Sequence, residues 1–102
     1  MERQDENPKI VAETVQHFIT LMDALKVNMV AVDELLPYLT DLMHSLDKCP
    51  SVLKDPIIKQ KVKTWHDTVG QMQASEELNE GQVRQFLFDL DSAYSSFHRT
   101  LK

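Results

Sequence analysis

The side chains best suited to proton transfer or metal ligation in this chain are His17, His44, His66 and His98. A metal site in a helical bundle needs ligands projecting inward, typically with a Glu-x-x-His pair on two of the helices. Asp41 and His44 show that spacing once, with Asp in place of Glu and no second copy. Glu13 and His17 stand four apart, as neighbours on one helix face do. Both pairs read as surface carboxylate–imidazole neighbours. Cys49 is the single cysteine, so no intramolecular disulfide can form, and a reduced, intracellular setting fits best. No base accompanies it to make a nucleophile. The chain has no Gly-rich phosphate loop, no Gly-x-Ser-x-Gly turn and no Cys-x-x-Cys pair. No catalytic residue, metal or cofactor is expected, and binding or scaffolding is the favoured class.

The residue that stands out instead is apolar. From Asn79 onward the large apolar residues Val83, Phe86, Leu87, Leu90, Tyr94, Phe97 and Leu101 recur at helical steps and form one stripe. Phe88 is off that stripe, turned ~140° from Val83 at ~100° per residue. An off-face Phe either packs a second internal seam or offers a contact to a partner. Arg84, Asp91 and Ser95 share its side of the helix at three- and four-residue steps.

Four helices must position these residues. The first begins near Pro8 or Lys9, with Asn7 as a cap, and carries Val11, Val15, Phe18, Met22 and Leu25, widened by Ile19 and Leu21. Val27–Val32 reads as a tight, packed connection. Asp33 is the expected cap of the second helix, which places Pro37 near its fourth residue, where proline is still tolerated. Its core positions are Leu35, Leu36, Leu39, Leu42, Met43 and Leu46, and it ends near Lys48. Cys49–Lys54 is read as a loop. Asp55-Pro56 is a strong start signal for the third helix, which carries Ile58, Val62, Trp65, Val69 and Met72. After a polar connection over Ala74–Leu78, Asn79 and Gln82 form a capping box for the fourth. The fold class is all-α, a compact four-helix bundle over residues 9–102, with residues 1–8 as linker or lead.

Composition agrees. With 102 residues there is room for one domain, and only two glycines and four prolines argue against a turn-rich β fold. A net charge of −5 disfavours nucleic-acid or anionic-membrane binding. Lys59, Lys61 and Lys63 are read as a solvated helix face. No apolar run approaches membrane-spanning length, and the start of the chain lacks the apolar stretch of a signal peptide.

Two stretches go further than pattern. Phe18-Ile19-Thr20-Leu21-Met22-Asp23-Ala24-Leu25-Lys26-Val27-Asn28 and Gln82-Val83-Arg84-Gln85-Phe86-Leu87-Phe88-Asp89-Leu90-Asp91-Ser92-Ala93-Tyr94-Ser95-Ser96-Phe97 resemble the C-terminal domain of the vacuolar protein sorting 28 family, a subunit of the endosomal complex ESCRT-I. The family shows Phe-Ile-Thr-x-Met-Asp-x-Leu in its first helix and Leu-Phe-Asp-Leu-(Asp/Glu)-x-Ala-Tyr-x-x-Phe in its last. Trp65 and the Asp33-x-x-x-Pro37 spacing also fit, and the likeness runs from about Ile10 to Leu101. Cys49–Lys63 departs from the family pattern. The N-terminal part through which family members join other ESCRT-I subunits is not in this sequence.

The resemblance implies a non-catalytic four-helix adaptor in the sorting of ubiquitinated cargo into multivesicular bodies. It would be cytoplasmic, peripheral on endosomal membranes, and would reach toward ESCRT-II and an ESCRT-III subunit. The expected partner surface combines Phe88, Arg84 and Asp91 of the last helix with Thr20, Asp23 and Lys26 of the first. These residues leave their stripes inside the family-like runs. Two other classes stay open: a self-associating helical scaffold, and a small-ligand or metal-binding bundle. The domain is expected to be monomeric.

Overall fold

Each helix begins and ends for a local chemical reason. The computed structural model describes residues 7–100. Helix α1 spans Pro8–Lys26; the Asn7 side chain accepts from the Lys9 N–H at 2.9 Å, and Pro8 occupies the first helical position. Its stop is Asn28, whose φ of 68° puts it in the left-handed region. The Met29 N–H reaches back to the Ala24 carbonyl at 2.9 Å and the Asn28 N–H to Leu25 at 3.1 Å. That pair of bonds is a Schellman motif with Asn in the position usually held by glycine. The Val27–Val32 segment is packed only in part: Met29 and Val30 lie against the core and Val32 is buried, but its first residue is turned out. Val27 is 74% exposed, and Val32 is already helical.

Helix α2 spans Val32–Asp47 with Ala31 as its cap, so the expected cap Asp33 lies in its first turn. Ala31 has no side-chain acceptor to offer. The Val32 N–H is satisfied instead by the Glu76 carbonyl at 3.0 Å, and the Leu78 N–H donates to Val30 at 2.9 Å. This short antiparallel pairing of Ala31 with Glu77 ties the α1–α2 connection to the α3–α4 connection at one end of the molecule. The earlier start puts Pro37 inside α2, where it has no N–H for the Asp33 carbonyl.

At the other end, Pro50–Lys54 forms a 3₁₀ helix where a loop was expected. Helix α3 (Pro56–Gly70) starts as the Asp55-Pro56 signal predicts; the Asp55 carboxylate accepts from the Ile57 N–H at 3.3 Å. Helix α4 (Glu80–Thr100) opens on the predicted capping box. The Gln82 N–H donates to Asn79 Oδ1 and the Asn79 N–H to Gln82 Oε1, both at 2.8 Å.

The helices pack in a ring, α1 on α2, α2 on α3, α3 on α4 and α4 on α1, with no close backbone approach across the diagonals among the described residues. Inside lie Phe18, Leu21, Leu35, Leu39, Leu42, Leu46, Ile58, Val62, Phe86, Leu90 and Phe97, each at most 1% exposed. Burial of this kind contributes ~1.5–3 kcal/mol per large side chain before entropy is charged. Thr14 is buried too, and its hydroxyl donates to the Ile10 carbonyl at 2.8 Å and lies 3.4 Å from Cys49 Sγ. Ile19, read as part of the core, is 37% exposed.

Candidate protein-interaction surface

Asp89 fixes the rotation of α4. Its carboxylate accepts from the Trp65 indole N–H at 2.8 Å and from Gln85 at 3.0 Å, with Lys61 Nζ at 3.6 Å. Trp65 in turn stacks on Phe86 with centroids 4.5 Å apart and an interplanar angle of 11°. Asp89 thus faces α3. Tyr94 faces α1, its ring centroid 5.4 Å from that of Phe18. Phe88, ~100° round from Asp89 and ~120° from Tyr94, has neither neighbour to cover it. It is 67% exposed. The internal-seam alternative for Phe88 does not hold.

Arg84 and Asp91 are exposed and fall between Phe88 and the Tyr94 side, on the shoulder of α4 nearer α1. On α1, Glu13 and His17 line a polar cleft with Asp41, His44, Ser45 and Lys48 of α2. That cleft marks the α2 side of α1. Ile19, Asp23 and Lys26 lie on the other side, at four-, three- and seven-residue spacings, toward α4. The contacts of Phe18 with Tyr94 and Phe97 set the register of these antiparallel helices. At ~1.5 Å per residue they bring Lys26 level with Phe88 and Asp23 level with Asp91. Thr20 sits farther round; it is half-buried, and its hydroxyl accepts from Gln16 Nε2 at 3.1 Å.

The result is one surface across the α1–α4 seam, with an exposed aromatic ring, two cations and two carboxylates. Asp23, Lys26, Arg84 and Asp91 take part in none of the ion pairs among the described residues, so the local Asp23–Lys26 pairing that would mark a merely solvated face is not formed. Ile19 adds an apolar side chain that sequence reasoning assigned to the core. Its off-centre angle on the helix was the available signal. By contrast, the three lysines of α3 are all engaged: Lys59 with Asp47, Lys61 near Asp89, and Lys63 with Asp67 at 3.0 Å. They form no free basic patch.

Nothing on this surface has the makings of a reaction centre. Among the described residues no group of three or more His, Cys, Asp or Glu side chains is placed to hold a metal ion. No described helix is long and apolar enough to cross a membrane.

The family model described as VPS28 protein matches residues 1–101. The chain belongs to the VPS28 family. A vacuolar protein sorting-associated protein 28 homolog of Arabidopsis thaliana is 51% identical over 92 residues, covering 90% of this chain and 44% of that protein. The Caenorhabditis elegans homolog is 43% identical over 93 residues, covering 91% of this chain and 44% of that protein. The Saccharomyces cerevisiae protein is 40% identical over 96 residues, covering 93% and 38%. The chain therefore spans less than half the length of these VPS28 relatives. The solved C-terminus of yeast ESCRT-I Vps28 superposes with a TM-score of 0.87 at 36% identity, covering 99% of this chain and all of that one. A crystal structure of a Vps28 C-terminal domain gives 0.82 at 39% identity, covering 91% and 97%. The four-helix fold expected from sequence is the fold of these VPS28 domains, and the family is non-catalytic.

Proposed function

We propose that this chain is the interaction domain through which an ESCRT-I subunit engages ESCRT-II, in the sorting of ubiquitinated cargo into multivesicular bodies. In that role it works in the cytoplasm, brought to endosomal membranes as part of a complex. The proposed contact surface is the α1–α4 seam, with Phe88 as the anchor, Arg84, Asp91, Asp23 and Lys26 around it, and Thr20 at its outer margin. The observation that carries this reading is the 67% exposure of Phe88 within a rim of unpaired charges. Aromatic anchors surrounded by polar groups are the usual centre of a binding hot spot. The likeness to the yeast ESCRT-I Vps28 C-terminus supports the choice of pathway.

Titration of the isotope-labelled domain with purified ESCRT-II tests it. Amide shifts clustered around Phe88 and Asp23 are expected. Binding with shifts confined to other helices would discard the surface and keep the partner. No saturable shift would remove ESCRT-II as the partner and direct the same titration to ESCRT-III subunits.

A further inference from the structure

A second surface lies diagonally across the bundle from Phe88. An open groove of about 530 Å³ runs along the first half of α2 to the segment that follows α3. Its floor and walls are Val32, Leu36, Pro37, Thr40, Met72 and Ala74. Leu36 and Met72 are only half-buried, and Pro37 and Ala74 are exposed. The groove is thus an apolar surface that the bundle itself leaves uncovered.

Its polar lining is of one sign. Asp33 and Asp41 stand on the groove, both exposed, and no Lys or Arg lines it. Neither carboxylate joins an ion pair among the described residues. Asp41 also borders the cleft that holds His17, His44 and Lys48, but Asp33 has no such cationic neighbour there. Pro37 adds an acceptor: it has no N–H for the Asp33 carbonyl one turn back, on the part of the helix that lines the groove. Acidic groups at both ends of an apolar trough select a ligand with the complementary order of groups.

We infer that this groove is a docking site for a peptide segment of another protein in which one or two apolar side chains are flanked by lysine or arginine. The apolar residues seat between Leu36 and Met72, and the cations meet Asp33 and Asp41. Asp33 and Asp41 are eight residues apart on α2, ~12 Å along its axis. That separation fits basic residues about four apart in an extended strand. Because α2 and α4 lie on a diagonal of the ring, a peptide held here leaves Phe88 uncovered, and the domain can engage two partners at once. The inference stands independently of the reading of Phe88.

A displayed library of random twelve-residue peptides, selected on the intact domain, tests it. Enriched peptides are expected to carry an apolar residue between basic ones. They should shift the amides of Leu36, Thr40, Met72 and Ala74 and bind more weakly as salt rises. The double variant Asp33→Lys/Asp41→Lys, whose two positions are exposed, should lose roughly tenfold or more in affinity, and Phe88→Ala should lose none. Enrichment of acidic or uncharged peptides, peptides that map to the α1–α4 seam, or no enrichment at all would overturn the inference.

Discussion

The Trp65 indole N–H and the Asp89 carboxylate, 2.8 Å apart, join α3 to α4 and set which way α4 faces. The bond does two things. It satisfies the one polar atom of a side chain that is otherwise core, with Trp65 only 9% exposed. It also holds Asp89 toward α3, so the residue before it is turned out. Phe88 is exposed because Asp89 is engaged.

Removing the ring should be far costlier than removing the carboxylate. Trp65→Ala is expected to cost ~3–5 kcal/mol, since it empties a stacked aromatic site. Asp89→Ala should cost ~1–3 kcal/mol, the penalty of leaving a largely buried indole N–H without its acceptor. Denaturant unfolding of both variants checks the order. Equal and small losses would contradict the packing described here.

The fourth helix depends on its cap. Asn79→Ala removes the side-chain oxygen that accepts from the Gln82 N–H. A loss of ~0.5–2 kcal/mol is expected. Hydrogen exchange at the Gln82 amide should rise in the same variant.

Asn28 offers a test of backbone conformation rather than contact. At φ 68° it holds a conformation that costs β-branched residues heavily. Asn28→Ile is expected to destabilise by ~1–2 kcal/mol. Asn28→Gly should stay within ~0.5 kcal/mol of the parent, because glycine takes this conformation freely. Thermal unfolding of the pair separates the two cases.

These residues also show what could be read from the sequence and what could not. Asp55-Pro56 and the Asn79/Gln82 box are complete within four residues, and both helix starts were legible. The periodic stripes placed Phe18, Leu39, Val62 and Leu90 in the core correctly. The start of α2 was misplaced because its N–H partner is the Glu76 carbonyl, more than forty residues away, which leaves no local signal. The end of α1 before Val27 was read correctly, but its stop signal was not, because Asn28 does the work of a C-terminal glycine within an apolar run. On the surface, the wheel angle of Phe88 pointed outward but left open whether another helix covered it. Only the ring order of the helices resolves that.

The proposed surface predicts that binding and folding separate at Phe88. The side chain is 67% exposed, so Phe88→Ala should change stability by no more than ~0.5 kcal/mol. The most direct measurement is calorimetric titration of purified ESCRT-II with the parent domain and with Phe88→Ala. The surface described here predicts a folded variant whose affinity falls by roughly thirtyfold, as loss of a ~2 kcal/mol anchor requires. A folded Phe88→Ala domain that binds ESCRT-II as tightly as the parent would contradict it.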